Sequence, residues 1–188
     1  DVNKVDQSCS IFSAIFTPQG KYLYEFFIIK NKNEYLLDCD NEFINEITEY
    51  LSKYKLRSKI EIKNLSSNYI VGIINLDTFQ AIKSKENKNT DTFEFRESII
   101  FSDPRIKELG ARIICNLEKL HLTIKKLNLK IVNNESYLKK AYTYGIPIKG
   151  IKSLKEQLFG LEANFETLNA IDFKKGCYIG QENTARMK

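Results

Sequence analysis

The sequence predicts an α+β protein of antiparallel sheets with packed helices. Three β-rich runs joined by turn signals open the chain, an amphipathic helical pattern follows them, and further strand-like runs come after that helix. A shift from strand-rich to helix-rich composition near Asn116 divides the chain into residues 1–115 and 116–188. With 188 residues, 43% of them hydrophobic, there is apolar material for one substantial core or two small ones.

Residues 10–16 and 22–30 are strand-forming, and the Thr17-Pro18-Gln19-Gly20-Lys21 connection between them carries the Pro and Gly of a tight turn. Asn31-Lys32-Asn33 makes a second turn into a short strand at 34–38. Asp40 then caps a helix whose apolar residues Phe43, Ile44, Ile47, Tyr50, Leu51 and Tyr54 recur every three or four positions, so one face of it is buried. Alternation at 59–62, an apolar run at 69–76 and another run at 93–101 read as strand material, with 83–92 an exposed loop. A further short strand is expected at 111–115. Asn134 caps a helix ending at Tyr144, where Gly145 and Pro147 stop it, and Ser153 caps a short helix reaching Phe159.

Charge and cysteine usage exclude several classes. The net charge of +5 comes from dispersed lysines, which a solvated surface explains without nucleic acid. Cys9, Cys39, Cys115 and Cys177 are far apart, no Cys-x-x-Cys pair occurs, and His121 is the only histidine, so no metal-ligand spacing is present. Scattered thiols in a chain of this size argue against a disulfide framework. No run approaches the roughly 20 apolar residues that span a bilayer, and the expectation is a soluble, cytoplasmic monomer without membrane association. Asp1 in place of an initiator Met, and a helix just opening at 184–188, suggest a piece of a longer protein.

The densest unusual segment is Lys174-Lys175-Gly176-Cys177-Tyr178-Ile179-Gly180-Gln181-Glu182, followed by Asn183-Thr184-Ala185-Arg186. Gly176 and Gly180 permit positive φ or close backbone approach, and the residues after them can form a helix. A cysteine before such a helix, beside two lysines, is favoured as thiolate, which makes Cys177 the candidate reactive thiol; the alternative is a small buried cysteine. Glu182 at the helix start can accept two parallel hydrogen bonds from an amidine-like edge, or simply stabilise the helix.

Residues 175–182 match the Lys-Gly-Cys-[Phe/Tyr]-x-Gly-Gln-Glu signature of the YgfZ family of folate-binding proteins, and the chain resembles that family through most of its length. The likeness extends to Gly160-Leu161-Glu162-Ala163-Asn164, Tyr144-Gly145-Ile146-Pro147, Asp103-Pro104-Arg105, Leu109-Gly110-Ala111-Arg112, Tyr54-Lys55-Leu56-Arg57 and Pro18-Gln19-Gly20-Lys21, in the family's order. The resemblance implies a fold like the glycine-cleavage T protein around a tetrahydrofolate pocket, with an N-terminal element and a C-terminal barrel-like domain outside this sequence. It implies Glu182 as the pterin ligand and Cys177 as the signature thiol. Gln181, Gly180 and Gly176 frame the pocket, Lys175 and Arg186 are partners for anionic groups, and Tyr24 and Arg112 line it. The implied function is a tetrahydrofolate-binding accessory protein supporting iron–sulfur cluster assembly or repair and, through client iron–sulfur enzymes, tRNA modification.

Two alternatives stand beside it. An aminomethyltransferase of glycine-cleavage type needs a carboxylate against the folate, where T proteins carry an Asp-Asp pair and this chain has Tyr24-Glu25. A phenol of ordinary pKa, about 10, cannot replace a carboxylate, and the two side chains point to opposite faces of a strand. An RNA-binding module would account for the positive charge but for no particular residue.

Overall fold

The computed structural model describes residues 1–148 and 150–188. β1 (Ile11–Phe16), β2 (Tyr22–Asn31) and β3 (Glu34–Cys39) form a three-stranded antiparallel meander. The β1–β2 turn closes with Thr17 N–H on the Lys21 carbonyl and Gly20 N–H on the Thr17 carbonyl, at 2.8 Å each. Asp40 caps a single 3-10 turn, and α1 (Ile44–Lys55) follows it.

β4 (Tyr69–Ile74), α2 (Leu76–Lys85), β5 (Thr92–Phe95), β6 (Ser98–Ser102) and β7 (Ala111–Asn116) come next, and their four strands form an antiparallel sheet in the order β4-β7-β6-β5. α3 (Leu120–Lys126), α4 (Glu135–Thr143) and α5 (Gln181–Met187) complete the regular structure.

The expected apolar run at 69–76 is divided. β4 ends at Ile74, and Asn75 caps α2 by accepting the Thr78 N–H at 2.8 Å, so part of the expected 83–92 loop is helix. Residues 59–62 form no strand, and the residues after Ser153 form turns beyond a short 3-10 segment at Ile151–Leu154 rather than a helix.

A β-bulge fixes which side chains enter the core. Ile15 pairs with Tyr24 and Phe16 with Tyr22, so Leu23 is the extra residue. Past this insertion Tyr22 shares the inner face with Phe27 and Ile29, while Leu23, Tyr24, Phe26 and Ile28 pack outward against α1. The inner faces of both sheets meet in one core of Phe12, Phe16, Phe27, Phe101 and Ile114, to which the chain after α4 adds Ile146, Phe165 and Leu168. Phe165 packs edge-on against Phe12 and Tyr22, with ring centroids 6.0 and 5.7 Å apart. The outer face of the four-stranded sheet buries Phe93, Ile100 and Ile113 against Phe79 and Ile82 of α2. The result is an α+β layering, helix on sheet on sheet on helix, compatible with a glycine-cleavage T protein-like fold.

Candidate functional site

The signature segment folds as a tight loop ahead of α5. Asp172 anchors its start: Oδ1 accepts the Lys174 N–H at 2.9 Å, and Oδ2 receives Lys4 Nζ at 2.6 Å. These contacts hold the Asp172 carboxyl at about 2, with the Lys4 hydrogen bond the leading cause. Gln181 closes the loop, its Oε1 accepting the Tyr178 N–H at 3.3 Å and its N–H reaching the Tyr178 carbonyl at 3.2 Å.

Gly180 takes φ +82° and carries α5 into the β1–β2 turn. Asn183 Nδ2 donates to the Gln19 carbonyl at 3.0 Å, and Thr184 Oγ1 returns to the Gly180 carbonyl at 2.9 Å. The N-terminal hairpin and the signature loop, more than 150 residues apart in sequence, thus become one structural unit.

Within that unit Cys177 is exposed and lies four residues before α5. Gly176 has no positive φ, and a Cβ there would meet open space. Glu182 is exposed in the first turn of α5, with Oε1 accepting Arg186 Nη2 at 2.6 Å. Lys175 Nζ stands 5.6 Å from the ring centroid of Tyr178.

Tyr24 and Arg112 lie elsewhere. Tyr24 faces α1, where its hydroxyl donates to Glu46 Oε2 at 2.9 Å and accepts Lys155 Nζ at 2.9 Å. Burial raises its pKa, against the pull of Lys155. Arg112 sits between the sheets, its Nε 2.7 Å from Asp38 Oδ2 and its guanidinium 4.4 Å from the Phe27 ring centroid.

The inner face holds a polar group that Tyr24 cannot join. Glu25 points inward from β2, opposite Ala14, and its Oε2 is buried without a hydrogen-bond partner; so is the Tyr22 hydroxyl near it. Burial pushes the Glu25 carboxyl up to about 7, with Arg105 pulling the other way. Burial, and then the Glu25 charge, push the Tyr22 phenol up. Arg105 itself is held in a bidentate pair with Asp103 at 3.0 and 2.7 Å, donates to Tyr137 Oη at 2.9 Å, and lies 4.9 Å from the Phe27 ring centroid.

Asp103-Pro104-Arg105 gives a readable local signal, an Asp before Pro opening a turn, and the Arg105 N–H does bond Asp103 Oδ1 at 3.0 Å. Nothing in the sequence marks Tyr22 as an inward-facing phenol, because the bulge that turns it is a product of pairing.

Glu25 Oε2 and the Tyr22 hydroxyl are thus a buried acid and phenol side by side, sealed in the interior. The exposed Glu182 carboxylate, with Oε1 on Arg186, keeps Oε2 open to solvent as an acceptor.

No family model matches the chain. Its homologues are mitochondrial iron–sulfur cluster assembly factors. It is 30% identical to the iron–sulfur cluster assembly factor IBA57 homolog, mitochondrial, of Dictyostelium discoideum over 156 residues, 82% of this chain and 38% of that protein. It is 28% identical to the homolog of Mycosarcoma maydis, over 94% of this chain and 42% of that one. Against the mouse protein of the same name it is 27% identical, over 89% of this chain and 47% of that protein. The chain thus spans less than half the length of these relatives. All of them are mitochondrial, which corrects the cytoplasmic expectation. The four thiols are free, a state that any reducing compartment permits, so cysteine usage does not separate one such compartment from another.

Proposed function

We propose that this chain is the tetrahydrofolate-binding part of an iron–sulfur cluster assembly factor of the YgfZ type, acting in the mitochondrion. The observation that carries the reading is Cys177, exposed on a loop locked to the β1–β2 turn, in a chain whose homologues are assembly factors. Glu182 takes the amidine-like edge of the pterin, held in orientation by Arg186. Bound tetrahydrofolate would supply reducing and one-carbon chemistry. Cys177 supplies a soft sulfur ligand or nucleophile toward the cluster, which is cargo here, or toward a client protein. Effects on tRNA modification follow from the iron–sulfur enzymes that carry it out.

The test is replacement of the protein in cells by Cys177→Ala. Iron–sulfur enzyme activities, each normalised to the amount of that enzyme, are expected to fall while the variant protein accumulates normally. Unchanged activities would overturn the thiol's role.

One observation favours aminomethyl transfer as a second reading: a carboxyl titrating near 7 suits a general base at neutral pH. Tyr24, turned to α1 and bonded to Glu46 and Lys155, leaves that base alone where T proteins have a pair of carboxylates. Release of ammonia and methylenetetrahydrofolate from an aminomethylated lipoyl carrier, lost in Glu25→Gln, would establish it.

A further inference from the structure

A cleft far in sequence from the signature loop is lined by more lysines than carboxylates. Its wider part, about 320 Å³, is lined by Leu76, Phe79, Gln80, Lys83, Ser84 and Lys88 of α2 and its C-terminal turn, and by Asp91, Ser102 and Lys107. A neighbouring cavity of about 220 Å³ shares Asp91, Ser102 and Lys107 with it and ends at the Asp103–Arg105 pair. Because that pair is self-neutralising, the three lysines of the cleft share a single carboxylate among the lining residues, Asp91.

Lys83 from α2 and Lys107 from the turn after β6 converge on this carboxylate, at 2.9 Å on Oδ1 and 3.3 Å on Oδ2. The last-turn carbonyls of α2 that would repel an anion already accept the N–H groups of Glu86, Asn87 and Lys88. Ser84, Ser102 and Gln80 add neutral donors, and Leu76 borders the cleft.

We propose that this cleft binds a small organic anion through its phosphate or carboxylate group. Its oxygens sit among Lys83, Lys88 and Lys107, and the rest of the molecule points out of the cleft. Asp91 acts as an internal competitor: it holds the lysines in place in the free protein and yields one of them when a stronger anion enters. The proposal is independent of folate binding at the signature loop.

The full chain is titrated with phenyl phosphate, benzoate and, as the uncharged control, benzyl alcohol, with binding read by amide chemical shifts. Saturable shifts at Lys83, Ser102 and Lys107 are expected with at least one anion, and the tighter of the two identifies the head group. Lys107→Met, at a largely exposed position, is expected to weaken that binding about tenfold, the loss of one charge-assisted contact. Asp91→Asn is expected to tighten it. Lys53→Met on α1 is expected to leave it unchanged. Equal binding of benzyl alcohol, the absence of saturable shifts with either anion, or indifference to Lys107→Met would overturn the proposal.

Discussion

Gly180 and Gly20 touch backbone to backbone: a Cβ on Gly180 would lie 2.8 Å from Gly20 Cα and 2.6 Å from the Thr17 carbonyl oxygen. Both glycines have positive φ, +80° at Gly20 and +82° at Gly180. Gly180→Ala must therefore both strain its own backbone and push the β1–β2 turn away from α5. A loss of about 2–4 kcal/mol is expected, with thermal midpoint lowered by at least about 4 °C. Gly176→Ala, with no positive φ and open space around it, should stay within about 0.5 kcal/mol of the parent. Paired thermal unfolding of the two variants checks the contrast, and a loss of function in Gly176→Ala without loss of stability would assign Gly176 to a ligand or partner.

The Asp38–Arg112 pair ties the three-stranded sheet to the four-stranded one from inside, with side chains only 7% and 15% exposed. Removing one partner leaves the other charge buried alone, and Arg112→Met is expected to cost about 3–5 kcal/mol. Denaturant unfolding measures it, and Asp38→Asn/Arg112→Met together should cost less than the sum of the two single changes.

Glu25 makes stability depend on pH. Its folded-state carboxyl titrates near 7 against an ordinary 4.5, so the folded state binds the proton more tightly than the unfolded chain does. The stabilisation is present in full below about 4.5 and is lost as pH rises through 7. Glu25→Gln removes this term and is expected to be more stable than the parent at pH 8 by on the order of 2 kcal/mol, with the difference shrinking toward pH 5. Melting curves across that range test it.

Thiol reactivity should divide the four cysteines in two. Cys9 and Cys177 are exposed, whereas Cys115 is buried between Thr123 and its own strand and Cys39 is half-buried with its pKa pushed up to about 11 by burial. An aromatic disulfide reagent is expected to modify Cys177 fastest, Cys9 more slowly because burial and then Asp6 raise its pKa, and the other two only on unfolding. Mass spectrometry of the modified peptides identifies them.

Much of the fold is legible where turn chemistry is local. Pro18 and Gly20 mark the β1–β2 turn, and Asp40 marks the approach to α1. The α2 helix is hidden because Leu76 and the residues before it read as one apolar strand, and only the Asn75 side chain on Thr78 shows where the helix begins. The β5–β6 hairpin turns through Arg96 and Glu97 at φ +46° and +66°, positions that usually call for Gly or Asn, so tertiary pairing overrides a missing turn signal. For the site, the loop carrying Cys177 and Glu182 is readable from its own eight residues. Its anchorage on Gln19 and Gly20, and the inward turn of Tyr22, come from long-range packing and a bulge that no local pattern announces.

Calorimetric titration of tetrahydrofolate into the full chain, beside Glu182→Gln and Cys177→Ala, tests the central claim most directly. The expected result is saturable binding that is lost in Glu182→Gln and kept in Cys177→Ala, placing the pterin on α5 and leaving the thiol free for cluster chemistry. Absence of binding to the parent, or binding that Glu182→Gln leaves intact, would contradict the folate assignment.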